Sequence, residues 1–241
     1  MASSSETGHA INVSNFKLLI DKCDGFGASY QPSNGDLTIA SLTAQWGVAN
    51  TAQATINFVL QQVKEPINER GILFEPLSGL VTRVVNVLNS TRASEQVKLD
   101  AKGIADVIRG FRKKKTPTDG VPGEEWVSTS HLSYVMRAEN FLSLINLLKT
   151  VPIYAPNEVE LKIASLETLY TSMKSKNDGI GVIIAPVDNA RIVRNEALYT
   201  KDTGIVDVAK LVKKYVKGAY GATSERFKLV SGIKFTRPKK Q

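Results

Sequence analysis

The sequence predicts an all-α fold: two tandem, related antiparallel helical bundles, each built around one long helix kinked or broken at an internal proline. Three observations carry that expectation. Apolar residues recur over long stretches at alternating steps of three and four, the spacing that keeps one stripe of a helix against a partner. The 241-residue chain also matches itself in order, at an offset that drifts only from about 124 to about 130 residues. Between the matching halves, Lys113 through Gly123 is dense in Pro, Gly and charge, the composition of a linker.

The self-matches delimit the copies. Asn15-Phe16 with Leu19-Ile20 returns as Asn140-Phe141 with Leu144-Ile145, and Tyr30-x-Pro32 returns as Tyr154-x-Pro156. Leu37-x-Ile39-Ala40-Ser41-Leu42 returns as Leu161-x-Ile163-Ala164-Ser165-Leu166. Leu73-Phe74 answers Leu198-Tyr199, Ser94-Glu95 answers Ser224-Glu225, and Gly103-Ile104 answers Gly232-Ile233. The expected layout is a disordered leader over 1–12, a first helical repeat over 13–110, a linker over 111–131, a second repeat over 132–236 and a basic tail over 237–241.

Within each copy the elements follow in the same order. Short helices at 14–23 and 134–149 open the copies, and Gly25-Phe26-Gly27 reads as a turn. After the Tyr-x-Pro turn, one stripe runs through Ile39, Leu42, Trp46, Ala49, Gln53, Ile56, Leu60, Val63, Ile67, Arg70 and Phe74. Its counterpart runs through Val159, Ile163, Leu166, Tyr170, Met173, Asn177, Ile180, Ile184, Val187, Arg191, Arg194 and Leu198. Each stripe implies a helix of about 40 residues, or about 60 Å at about 1.5 Å per residue. Ser33 or Asn34, and Asn157, are placed to cap the starts. Pro66 and Pro186 fall inside, where a missing amide and a ring clash kink or break a helix. A third helix follows, with Leu77, Leu80, Val81, Val84, Val87 and Leu88 matched by Ile205, Val208, Ala209, Val212, Tyr215 and Val216. A fourth runs over 94–109 with Val97, Ala101, Ile104 and Ile108 inward; its counterpart, from Thr223 onward, breaks at Gly232. No run of alternating strands competes with these helices.

The catalytic and metal constellations are thin. One cysteine, Cys23, forbids an intramolecular disulfide framework, and two histidines, His9 and His131, leave little for a metal cluster. A di-iron bundle needs two Glu-x-x-His motifs, and the sequence holds a single one, Glu6-x-x-His9, in the expected leader. Cys23 lies beside Asp21 and Asp24, whose charge would raise its pKa, so a packed thiol is expected rather than a nucleophile. Catalytic, metal and cofactor sites are therefore expected to be absent. Arg70, Arg191 and Arg194 stand at stripe positions usually given to apolar residues. They form either an anion site inside the bundle or packed stems whose heads reach solvent or a carboxylate such as Glu69 or Glu196.

Charge gives the stronger lead. The chain carries 31 Lys and Arg against 23 Asp and Glu, a formal net charge of +8. From Thr203 onward ten basic residues face only Asp207 and Glu225, so the whole excess sits at the C-terminal end. On a helix, Lys210, Lys213, Lys214 and Lys217 share an arc opposite the apolar stripe. The aligned residues of the first copy, Thr82, Val85, Asn86 and Asn89, are uncharged. Arg226, Lys228, Lys234, Arg237, Lys239 and Lys240 extend the basic face. Such a cluster suits an anionic macromolecule, either an acidic protein or a nucleic-acid backbone bound by charge neutralisation without base specificity.

The segments Lys17 to Cys23, Tyr154 to Leu161 and Lys228 to Phe235 resemble an uncharacterised bacterial family of tandem-repeat helical proteins. That resemblance implies a bacterial, cytoplasmic protein and no activity, ligand or catalytic residue. The leader lacks a secretory signal, and no wholly apolar stretch of about 18 residues is read as a membrane span. The sequons at Asn12 and Asn89 read as chance matches. The function expected is a non-enzymatic intracellular scaffold or adaptor whose basic end docks an anionic partner. Alternatives are sequence-independent nucleic-acid binding, and a small-molecule or enzymatic site in a pocket between the two bundles that uses the stripe arginines. Self-association through the long helices is a further expectation.

Overall fold

The computed structural model describes residues 8–111 and 133–238. Every regular element among them is helical: α1 (His9–Asp24), α2 (Ile39–Gln62), α3 (Lys64–Phe74), α4 (Leu77–Asn89), α5 (Glu95–Arg109), α6 (Tyr134–Lys149), α7 (Ile163–Tyr199), α8 (Ile205–Tyr220) and α9 (Glu225–Ser231). Short 3-10 turns stand at Gly27–Ser29, Gly35–Leu37 and Val159–Leu161.

Local chemistry sets the helix ends. Ser94, Ser133 and Ser224 each accept a hydrogen bond from the amide three residues on, at Val97, Met136 and Phe227, and Thr38 accepts from Ser41 in the same way. The caps expected at Ser33, Asn34 and Asn157 come too early. Asn34 accepts from the Asp36 amide at 3.0 Å and opens the Gly35–Leu37 turn, so α2 starts only at Ile39. The second copy likewise places the Val159–Leu161 turn before α7. Pro66 separates α2 from α3: α2 stops at Gln62, whose carbonyl the proline ring would meet and cannot bond. Pro186, by contrast, lies within an unbroken α7 of 37 residues. It is exposed, and Val182, whose carbonyl loses its amide partner, is 79% exposed, so water can take that carbonyl.

Residues 9–12, expected in the leader, belong to α1. Asn12 is only 1% exposed; it donates to the Tyr199 hydroxyl and to the Thr236 carbonyl and accepts from the Thr236 amide. Its sequon is thus a packed helix residue. Composition also understated α2, which carries no charge along its length: a window of 18 residues within Ile39–Asn89 has a mean hydropathy of 1.3, and only 33% of it is buried.

The described residues gather into two compact units, and neither unit is one sequence copy. One comprises Met1–Val63 with Ile184–Gln241; the other is Lys64–Ile183. The front half of each copy packs with the back half of the other, in place of the expected one bundle per copy. The first unit centres on Phe16, Leu19, Ile20, Leu42, Leu198, Val212 and Val216, and the second on Phe74, Val81, Leu88, Phe141, Leu144 and Leu166. Aligned positions make matching contacts. Tyr30 donates to the Leu37 carbonyl at 2.8 Å and Tyr154 to the Leu161 carbonyl at 2.9 Å. α9 packs on α1 in one unit, and α5 on α6 in the other. α7 spans about 55 Å, and its residues divide between the two units after Ile183.

Candidate anion-binding face

The face is built on α8. Gly204 turns the chain sharply out of α7; a Cβ there would meet the Leu198 carbonyl oxygen at 2.8 Å. Ile205, Val208, Ala209, Val212 and Val216 then enter the core, which leaves Lys210, Lys214 and Lys217 exposed on the opposite side. Lys213 is different. Half-buried, it donates to the carbonyls of Ser231, at 3.1 Å, and Ile233, and burial lowers its pKa. It caps the end of α9.

The remaining predicted cations divide in the same way. Asp207 accepts from Lys210 at 2.8 Å and from Arg237 at 2.5 Å, and these contacts hold its carboxyl at about 2. Arg237 also donates to the Tyr199 carbonyl at 2.9 Å, which ties the C-terminal segment to the end of α7. Lys228 pairs with Glu225 at 2.7 Å. Lys214, Lys217, Arg226 and Lys234 are exposed and have no carboxylate partner among the described residues. Lys239 and Lys240 lie outside the described residues, as does His131.

Aromatic rings at the α8–α9 corner escaped the sequence reading. The Arg226 guanidinium lies 4.6 Å from the Tyr220 ring centre and 5.7 Å from that of Phe26, and the two rings meet edge to face at 5.6 Å. The Lys217 ammonium sits 5.9 Å from the Phe227 ring. The signal was present in the alignment, where Val97 stands opposite Phe227 and Gln96 opposite Arg226.

The stripe arginines have local partners. Arg70 belongs to one unit and Arg191 and Arg194 to the other. Arg70 stacks 4.5 Å from the Tyr134 ring, Arg191 pairs with Asp188 at 3.0 Å, and Arg194 donates twice to the side-chain Oδ1 of Asn195, at 3.2 and 2.9 Å. Burial lowers the pKa of Arg194. Neither Glu69 nor Glu196 serves them; Glu69 pairs with Lys176 at 2.6 Å. Cys23 is fully buried, and it is burial, rather than Asp21 or Asp24, that pushes its thiol up to about 12. His9 accepts or donates at 2.8 Å with the Tyr199 hydroxyl, and burial and Arg194 lower its pKa.

No protein-family model matches the chain, and neither does any curated protein or solved structure. Geometry alone bears on function.

Proposed function

We propose that this chain is a non-enzymatic helical binding protein that engages an anionic partner through its α8–α9 corner. The observation that carries this reading is the set of exposed cations without carboxylate partners among the described residues, Lys214, Lys217, Arg226 and Lys234, on a framework whose aligned corner has Asn86, Asn89 and Gln96. Clustered cations left unpaired cost little in water and attract a polyanion through counterion release. The cores supply a rigid support, and Lys213 and Arg237 hold the α9 end and the C-terminal segment in place.

Substituting Lys214, Lys217 and Arg226 together by Gln in the full chain tests the reading. The variant should keep its helical circular dichroism and elute from immobilised heparin at clearly lower salt than the parent. Elution at the parent's salt concentration would remove the face from consideration. Lys213 and Arg237 are unsuitable for this test, because their loss disturbs the fold.

A further inference from the structure

We infer that the α8–α9 corner takes a single-stranded nucleic-acid segment, with phosphates on Lys214 and Lys217 and an unstacked base against Arg226 and its rings. The inference rests on the anion-binding reading above and names its partner.

Charge alone does not choose between an acidic protein and a nucleic acid; the rings do. At this corner cations and aromatics differ together from the sister corner. Asn86 and Asn89 of α4 stand opposite Lys214 and Lys217, while Gln96 and Val97 of α5 stand opposite Arg226 and Phe227. Phe227 packs at the edge of its unit's core, and in the other unit the smaller Val97 fills the aligned position beside a Ser N-cap. A carboxylate partner would use Lys217 and Arg226 equally well without Phe227 and Tyr220. A strand with free bases uses both, because phosphates meet the ammonium groups while base faces stack on guanidinium and aromatic planes. A duplex keeps its base faces covered, which is why a single strand is the occupant. The lysines are close set: Lys214 and Lys217 are one turn apart on the exposed side of α8, and Arg226 follows immediately across the Gly221–Ser224 turn. Phosphate contacts and base stacking read no base edge, so binding is independent of sequence.

The test compares two probes on the full chain: a labelled 20-residue oligothymidylate and polyglutamate. Two variants separate ring from charge. Arg226→Lys keeps the charge and loses the plane, and Phe227→Val installs the side chain the sister corner already accommodates. Each should weaken oligothymidylate binding about five- to tenfold, and Phe227→Val should do so while leaving retention on heparin unchanged. The triple Gln variant should lower the slope of log affinity against log salt by about 1.4, as expected for two phosphate contacts on a single strand. Oligothymidylate binding that ignores both conservative variants but falls with the triple variant would overturn the stacking site and leave the anion-binding reading intact. Tighter binding to polyglutamate than to oligothymidylate would make the partner an acidic protein and overturn the inference in the same way. Indifference of every probe to the triple variant would end both readings.

Discussion

The α4–α5 and α8–α9 corners share one framework and differ in how it is finished. α5 runs for 15 residues, passes Gly103 without a break, and covers Val85, which is only 5% exposed. At its end Arg109 bonds Asp106 at 2.5 Å and the Thr82 hydroxyl at 2.9 Å. α9 runs for seven residues to Ser231, with Gly232 as its C-cap, and a segment without regular structure continues to Pro238. With the second half of that helix gone, Lys213 takes the place of Val85 and its ammonium caps the carbonyls at the break. Arg237, from the C-terminal segment, takes over the tie to the neighbouring helix by bonding Asp207. Part of the C-terminal charge is therefore a structural replacement for a shortened helix. The part with no such role, at Lys214, Lys217 and Arg226, carries the functional reading.

The largest effect expected comes from exchanging the two finishes. Val85→Lys would place an ammonium under α5, where no broken helix end offers carbonyls, and should cost about 2–4 kcal/mol in urea unfolding. Lys213→Val removes the donor from two carbonyls and should cost about 1–2 kcal/mol. Equal costs for the two changes, or a tolerated Val85→Lys, would mean that the corners are interchangeable and that Lys213 is not a structural cation.

Acid should act on one unit more than the other. The ring pair at the start of α1 is His9 on Tyr199, with centres 5.6 Å apart; the aligned pair at the start of α6 is Tyr134 on Phe74 at 4.9 Å. Asn12 donates to the Tyr199 hydroxyl, which can then donate to a neutral His9 ring nitrogen, and Arg194 and Arg237 lie on the same side. His9 has a lowered pKa in the folded chain, so the unfolded chain binds more protons below about 6.5. Its contribution is full above that value and is lost as pH falls through it. Asp207 acts later: held at about 2 against an ordinary 3.8, its contribution is full above about 4 and disappears as pH drops toward 2. Hydrogen exchange at pH 7 and pH 5.5 should show α1 loosening before α6. His9→Phe should remove that difference, and equal loosening of both helices would contradict the assignment.

Much of this was legible from the sequence. The three-four stripes found the long helices, and the aligned serines found the starts of α5 and α9. The exchange between copies was not legible, because related copies present related stripes, and periodicity says which residues are buried without saying whose core receives them. Arg70 shows the consequence. Its stripe position fits either an internal anion site or a packed stem, and its guanidinium lies over the Tyr134 ring, which opens the helix of the other copy. The basic face was over-read for a related reason: counting charges cannot tell Lys214, which projects from the fold, from Lys213, which closes it.

The smallest stability change separates these two kinds of lysine most sharply. Lys214→Gln and Lys217→Gln remove exposed charges that have no carboxylate partner among the described residues, and each should shift unfolding by no more than about 0.5 kcal/mol. Relief of mutual repulsion along α8 favours the substituted chain slightly, while the loss of Lys217 above the Phe227 ring disfavours it by a comparable amount. Unfolding midpoints measured for the two variants beside Lys213→Val would place them at opposite ends of one scale. A Lys214→Gln variant as costly as Lys213→Val would show that α8 needs its outer charges for folding, and the face would lose its claim to be free for a partner.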